Sequence, residues 1–206
     1  EAGLINYLWP LLIVVFSALL PGEKLRIHHI AGTLLALAGA VLVVTGGEGF
    51  TFRTEYAFGY GAALLGALAW PSYSVLSRRF ASVPTDAVTG FCLAAAALAI
   101  PCHLLLEQTV WPDSAWQWAA IVGLGLGPVG LAFYVWDIGV KHGDIQVVGA
   151  LAYAAPLLST AILIATGYAA YSHNVLVACL LITAGAVLAS RDLIFRRQVA
   201  SQPASF

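Results

Sequence analysis

Long apolar stretches alternate with short polar connections along this chain of 206 residues. A helix that crosses a bilayer needs about 20 predominantly apolar residues. Five uncharged stretches reach that length, at 2–22, 27–47, 56–77, 87–106 and 114–136. A further stretch, 145–190, has 46 residues without a formal charge, too many for one crossing, and the polar segment 167–174 divides it. The pattern therefore predicts seven transmembrane helices joined by short loops.

Composition and charge place these helices in a membrane and orient them. The chain is 61% hydrophobic and 9% charged, whereas soluble domains carry about 25% charged residues. If every stretch spans the membrane, Arg53 is the only lysine or arginine on one side, and the other eight lie on the opposite side. Cytoplasmic loops carry the excess of lysine and arginine, so the side with eight is cytoplasmic. We therefore expect a multi-pass protein of the cell's inner (plasma) membrane with a cytoplasmic C-terminus. The basic residues on the cytoplasmic side would be Lys24, Arg26, Arg78, Arg79, Lys141, Arg191, Arg196 and Arg197.

The sequence repeats itself when it is shifted by 146 positions. Tyr7 and Pro10 then fall on Tyr153 and Pro156, and two AGAVL strings coincide. The first two helices thus match the last two, which lie an odd number of crossings away and so have the opposite orientation. Inverted repeats are a signature of secondary transporters. The expected fold is an all-α integral membrane protein, an inverted-repeat helical transporter built from five-helix repeats.

The repeat also predicts how the chain is divided. Residues 1–47 correspond to the last two helices of a first repeat, and residues 56–192 to a complete second repeat. Residues 193–206 would form a cytoplasmic tail. Three further helices are expected before Glu1, which would give ten helices when complete, with seven present here.

Two prolines occupy equivalent places inside these apolar segments. Pro10 and Pro156 each stand three residues after a tyrosine. Proline removes a backbone hydrogen bond and bends a helix, and membrane proteins tolerate such breaks where the backbone faces protein or a watery cavity. A symmetric pair near the bilayer centre favours a substrate site, although a packing kink is the alternative. We expect Pro71 to break the third helix in the same way.

Aromatic and polar side chains near the prolines are the candidate substrate ligands. Asn6, Trp9 and Pro10 share one helical face by their spacing. Asn6 would either face a cavity or bond a neighbouring helix. The complete set of candidates is Asn6, Tyr7, Trp9, Pro10, Trp70, Tyr73, Tyr134, Asp137, Tyr153 and Pro156.

Ionisable residues near the helix ends leave two interpretations open. Asp137 shares a face with Tyr134 and could receive a substrate amine or a proton. It could equally form an interfacial ion pair with Lys141, four residues on. His28 and His29 flank basic residues at a cytoplasmic helix end, where we expect them to be solvated.

Three segments carry a resemblance to a known family. The stretch LINYLWPLLIVVFSALLPGEKLRIHHIAGTLLALAGAVLVV resembles two helices of the EamA-type drug/metabolite transporter superfamily, most closely its aromatic amino-acid exporter branch. ALAWPSYSVLSRRF and GPVGLAFYVWDIGVKHGDIQVVGALAYAAPLLST are similar to later helices of that branch. The resemblance covers nearly the whole chain. It implies a central cavity lined by aromatic side chains, to which Trp9 and Trp70 would contribute.

These features favour a secondary transporter that exports small metabolites, in particular amino acids including aromatic ones, by alternating access. An EamA-type exporter of other drugs or metabolites is the alternative. An intramembrane enzyme is a distant one, because the sequence has no GxSxG or HExxH motif and no pair of acids within a span. We predict no cofactor, no bound metal and no nucleic-acid partner, only a small-molecule substrate and the lipid bilayer. The oligomeric state is left open.

The charge distribution makes a topology prediction. A reporter fused after Phe206 should read as cytoplasmic, and one inserted in the loop 108–113 should read as external, because the positive side is cytoplasmic. Paired activity reporters that function on opposite sides of the membrane measure this. The reverse pattern at either position would contradict the helix count.

Overall fold

The computed structural model describes residues 2–49, 53–168 and 170–192. Within these ranges the chain is helical and contains no strand, so the predicted all-α fold is confirmed. A 3-10 turn at Thr54–Tyr56 and a π-helix at Gly125–Leu131 complete the helical elements of the described residues. The α-helices are α1 (Ala2–Asn6), α2 (Trp9–Ser17), α3 (Ile27–Thr45), α4 (Ala57–Arg79), α5 (Ala87–Leu106), α6 (Ala115–Leu124), α7 (Ala132–His142), α8 (Ile145–Leu151), α9 (Ala154–Ala165) and α10 (His173–Ala189).

These helices group into the seven segments that the hydrophobic pattern predicts, counted over the described ranges. The pairs α1 with α2, α6 with α7, and α8 with α9 are each one segment with an interruption. By length and composition four stretches are sufficient to cross a membrane: 27–45, 87–106, 115–142 and 145–165. Ala2–Ser17 and His173–Ala189 are apolar but shorter.

Two compact units make up the chain, residues 1–76 with 143–206, and residues 77–142. The first contains α1 to α3, most of α4, and α8 to α10. The second contains the last residues of α4 with α5 to α7. These two units are defined by which residues pack together. The predicted boundary near residues 47–56 separates two sequence repeats, which is a different division, and it stays a prediction. The expected tail at 193–206 lies outside the described residues.

Small residues bring α3 and α10 into close antiparallel contact in the first unit. A Cβ atom placed on Gly32 would lie 2.5 Å from the Gly185 carbonyl oxygen, and one on Gly39 would lie 2.9 Å from that of Ala178. Small residues at helix interfaces allow such backbone approach in membranes. A shift of 146 positions carries Gly32 to Ala178 and Gly39 to Gly185, so the repeat relates the first contact to the second. Two contacts that the repeat maps onto each other, between antiparallel helices, are what the predicted inverted repeat requires.

The core of this unit lies along the same pair of helices. Ala36, Ala40, Tyr153 and Ile182 form a buried cluster, and Leu157 packs against it. The core thus joins α3 and α10 to the interrupted segment formed by α8 and α9. Residues that are far apart in sequence, from both ends of the chain, therefore stabilise one another.

A π-helix interrupts the fifth segment in the second unit. The sequence places Gly125, Gly127 and Pro128 there. Seven residues, Gly125–Leu131, adopt the wider π form before α7 begins. Proline cannot donate a backbone hydrogen bond, and wider turns of this kind are frequent at functional sites.

Gly32→Ala should destabilise the protein, because the added methyl group has no space between α3 and α10. Overpacking a close contact costs about 1–3 kcal/mol. Denaturation in detergent, followed by circular dichroism, measures the change. Gly61→Ala is the matched control: it also lies inside a helix, but a Cβ there would have no neighbour within 4 Å. Equal stability of the two variants would contradict the close packing.

Candidate substrate site

Two helix interruptions define the candidate site, and both lie just upstream of a proline. The first helical segment is broken between Asn6 and Trp9, and the sixth between Leu151 and Ala154. The 146-residue shift superimposes the two breaks to within one residue. Because Pro10 and Pro156 have no N–H, each leaves an upstream carbonyl without its usual donor. The predicted symmetric breaks are therefore present.

A tyrosine hydroxyl fills the gap in the first of these breaks. In a continuous α-helix the Leu11 N–H would donate to the Tyr7 carbonyl oxygen, four residues earlier. Here the Leu11 N–H donates to Tyr153 Oη at 3.2 Å, and that hydroxyl donates to the Tyr7 carbonyl oxygen at 3.0 Å. The Tyr153 side chain is fully buried. Tyr153 belongs to the sixth helical segment, and its hydroxyl is inserted between two backbone groups of the first segment, which the 146-residue shift relates to the sixth.

Aromatic rings cluster next to this break. The ring centroids of Trp9 and Trp70 lie 6.4 Å apart at an interplanar angle of 86°. Those of Trp70 and Tyr73 lie 5.3 Å apart at 35°. All three side chains are half-buried. The first pair is edge-to-face, one of the two preferred arrangements of aromatic rings.

The expected break at Pro71 does not occur. α4 runs without interruption from Ala57 to Arg79, with Pro71 inside it. One missing N–H removes only one hydrogen bond, and the side chains beside it add others: Ser74 Oγ donates to the Trp70 carbonyl oxygen at 2.9 Å. Ser72 Oγ donates to the Leu68 carbonyl oxygen at 2.7 Å. Such hydroxyl bonds help a membrane helix to tolerate proline.

The remaining candidates of the first unit lie around the breaks with different burial. Pro10 and Pro156 are buried, and Tyr7 is half-buried. Asn6, the last residue of α1, is exposed, and its Oδ1 would lie 3.5 Å from a Cβ placed on Gly66 of α4. Because the helix is interrupted after Asn6, the single face that was expected to carry Asn6, Trp9 and Pro10 is not continuous.

In the second unit, Asp137 is held in a buried network. Its carboxylate lies 2.6 Å from Lys141 Nζ, and the two side chains are only 2% and 5% exposed. Ser77 Oγ and Thr85 Oγ1 also donate to it, the latter at 2.8 Å. Lys141 Nζ in turn donates to the Val83 carbonyl oxygen at 2.8 Å. The ion pair, one of the two interpretations of the sequence, is thus present and ties α7 to the connection between α4 and α5.

Tyr134, one turn before Asp137, is half-buried and hydrogen-bonds Thr89 of α5 through its hydroxyl. The arrangement links α7 to α5 within the second unit. Whether this tyrosine meets a substrate stays a prediction.

Several buried polar residues were missed or misjudged in the sequence. His28 and His29 were expected in solvent, but they are 8% and 5% exposed, because the first turn of α3 packs against neighbouring elements. Gln146, which is 2% exposed, donates from Nε2 to Ser17 Oγ at 3.1 Å. A polar residue in the first turn of an otherwise apolar segment was the available signal for Gln146.

The fold and the two interrupted helices are those of an inverted-repeat membrane transporter. The EamA-like transporter family matches residues 1–45 and 57–191, and the chain belongs to that family. The predicted resemblance is thus confirmed. The chain spans about two thirds of the length of the first relative described below.

Three curated relatives share the description aromatic amino acid exporter YddG. The protein of Ancylobacter novellus is 56% identical over 191 residues, which cover 92% of this chain and 66% of the relative. The Escherichia coli and Salmonella typhimurium proteins are 28% and 29% identical, each over 79% of this chain and 57% of the relative. A solved crystal structure with 56% identity matches with a TM-score of 0.88 over 92% of this chain and 68% of that one.

Tyr153→Phe should destabilise the first helical segment, because it leaves the Leu11 N–H and the Tyr7 carbonyl without their shared partner. Unpaired buried polar groups cost about 1–3 kcal/mol each. Denaturation in detergent measures the free energy of unfolding. Tyr168→Phe is the matched control, since that side chain is 85% exposed. If Tyr153→Phe is as stable as the control, the hydroxyl bridge has no structural role.

Proposed function

We propose that this protein exports small metabolites, amino acids including aromatic ones, across the inner (plasma) membrane by alternating access. The observation that carries the proposal is the aromatic cluster of Trp9, Trp70 and Tyr73 beside a helix break that a side chain bridges. The names of the relatives support the choice of substrate. The chemistry of the cluster and of the break supports it independently.

The cluster has the properties that an aromatic amino acid requires. Ring surfaces offer apolar contact to an aromatic side chain, with about 0.5–1.5 kcal/mol for a well-placed pair beyond the area it buries. The same faces attract the ammonium group of an amino acid by a cation–π interaction. Half-buried rings have part of their surface left for such a partner.

The surrounding helices disfavour substrates of large net charge. α2 and α9 contain no aspartate, glutamate, lysine or arginine. An uncompensated charge within the membrane is costly. A zwitterionic solute, whose charges cancel, is therefore a better match to this environment than an anion or a cation.

The helix break supplies the mobility that alternating access requires. At the break a side-chain hydroxyl replaces a backbone hydrogen bond. A bond made by a side chain can be exchanged without unwinding the helix that contributes it. Substrate sites of inverted-repeat transporters lie at such discontinuous helices near the midplane. We propose that the segments on either side of the break change their angle during transport.

The site residues predicted from the sequence are proposed as follows. Trp9, Trp70 and Tyr73 contact the substrate, while Pro10, Pro156 and Tyr153 shape the breaks. Asn6 and Tyr7 offer polar groups at the end of α1. Tyr134 of α7 is proposed separately, as a substrate contact of the second unit. A role for Asp137 as an amine ligand would require it to exchange its bond with Lys141 for one to the substrate.

Trp9→Ala and Trp70→Ala should weaken export of large aromatic amino acids more than that of small ones. A lost aromatic contact of about 0.5–1.5 kcal/mol corresponds to roughly a several-fold loss in apparent affinity. Resistance of cells to toxic amino-acid analogues, with membrane levels of each variant measured, provides the assay.

Trp111→Ala is the control for these variants. Trp111 is 73% exposed, and its ring centroid lies 6.3 Å from that of Trp118, an arrangement we assign to the aromatic belt at the membrane surface. Normal expression of both deep variants with wild-type selectivity would refute the aromatic-cavity proposal. An equal loss for large and small amino acids would show that these two rings do not select the substrate.

A further inference from the structure

Three side chains of metal-binding type converge where α3 begins and α10 has just ended. His28, His29 and Asp192 each offer one ligand atom, and these atoms all lie within 4.8 Å of one another. The two imidazole centroids are 4.2 Å apart. Neighbouring residues on a helix usually point in different directions, so the approach of these two rings is a specific feature of the site.

One of these ligand atoms is buried and has no hydrogen-bond partner in the part of the chain that the structure describes. His28 is 8% exposed, and its Nε2 atom has no hydrogen-bond partner among the described residues. A buried polar atom left unpaired destabilises the fold, and few native groups are left in this state. A ligand at this nitrogen would remove this destabilisation.

The spacing fits two ligands of one ion. His28 Nε2 lies 3.6 Å from Asp192 Oδ2, beyond ordinary hydrogen-bond length. Zinc binds histidine nitrogen and carboxylate oxygen at about 2.1 Å, so two tetrahedral ligands lie about 3.4 Å apart. The observed separation therefore needs only a small adjustment to hold a cation.

The opposite end of the same helix pair shows that packing alone does not require these groups. The 146-residue shift carries His28 to Asn174 and Asp192 to Gly46. There the Asn174 side chain simply donates to the Gly46 carbonyl oxygen. A neutral amide thus joins α3 to α10 at one end, whereas imidazoles and a carboxylate meet at the related position of the other end.

A polar cavity of about 260 Å³ adjoins the cluster. His29 and Asp192 line it, together with the acidic residues Glu23 and Asp144 and the basic residues Lys24 and Arg26. A zinc ion with three protein ligands takes water as its fourth, and a cavity of this size and polarity has room for that water.

Competing contacts will moderate the affinity. Arg26 Nη1 lies 2.6 Å from Asp192 Oδ2, the oxygen that also faces His28. The Arg26 backbone N–H donates to His29 Nδ1 at 3.2 Å. A neutral imidazole has one lone pair for a ligand, so a cation on His29 would displace that long hydrogen bond. Both competing partners belong to Arg26.

We propose that His28, His29 and Asp192 bind a divalent transition-metal cation of the zinc class, which links the first turn of α3 to the chain just beyond α10. Two imidazoles and one carboxylate suit zinc, nickel or copper, and they disfavour magnesium and calcium, which prefer oxygen ligands. The sequence alone predicted no metal, because it contains no familiar zinc spacing. The site is separate from the aromatic cluster and does not depend on the proposed export.

Zinc titration of the purified, metal-stripped chain in detergent, followed by isothermal calorimetry, tests the proposal. We expect one zinc ion per chain, which an excess of magnesium does not displace. His28→Asn reproduces the neutral residue of the opposite end and should weaken zinc binding at least about tenfold, as should Asp192→Asn. Even residues that only orient a ligand are worth 10–100-fold in metal affinity. Arg26→Gln should strengthen binding, because the guanidinium competes for Asp192.

His103→Asn is the matched control, since His103 has a side chain that is 40% exposed, hydrogen-bonds Glu107 and lies outside the cluster. It should bind zinc as tightly as the wild type. The free energy of unfolding of each variant, measured without zinc, shows whether the variant is folded. A wild-type chain that binds no zinc overturns the proposal. So do His28→Asn and Asp192→Asn variants that bind zinc as tightly as the control.

Discussion

A backbone hydrogen bond lost within a membrane must be replaced by the protein, because lipid offers no water to take its place. In this chain the Tyr153 hydroxyl satisfies that constraint for the first helical segment, although 142 residues separate it from Leu11. Trp9 and Pro10 lie between the two backbone groups that the hydroxyl joins. Their positions therefore depend on the break between α8 and α9, and the aromatic cluster depends on both breaks.

The first unit combines a close-packed pair of helices with two interrupted ones. Between α3 and α10 a single added carbon at Gly32 would overlap the opposite backbone, so these two helices are in direct backbone contact. At the first break, by contrast, a side-chain hydroxyl replaces a main-chain hydrogen bond. Motion is expected where bonds are exchangeable and packing is loose. In the proposed cycle α3 and α10 would act as the fixed frame and α2 and α9 as the bending elements.

The sequence predicted the features that depend on composition and repetition. Apolar length sets the helical segments, and the shift of 146 positions locates both breaks. It did not predict the outcome at Pro71, because one missing N–H does not by itself decide whether a helix continues. Nor did it predict the burial of His28, since neighbouring basic residues indicated solvent, and only the packing of α3 shows otherwise.

It also could not show which tyrosine would form the bridge. Tyr7 and Tyr153 are equivalent in the repeat, yet Tyr153 is the fully buried one whose hydroxyl joins the other segment. Trp9 differs more plainly, because its counterpart is Ala155. Helix packing can be the same in both repeats, as the glycine contacts are. A substrate that lacks two-fold symmetry cannot meet both repeats alike, so the side chains that contact it have to differ. The loss of symmetry at Trp9, within an otherwise symmetric frame, is therefore what a substrate-contacting position should show.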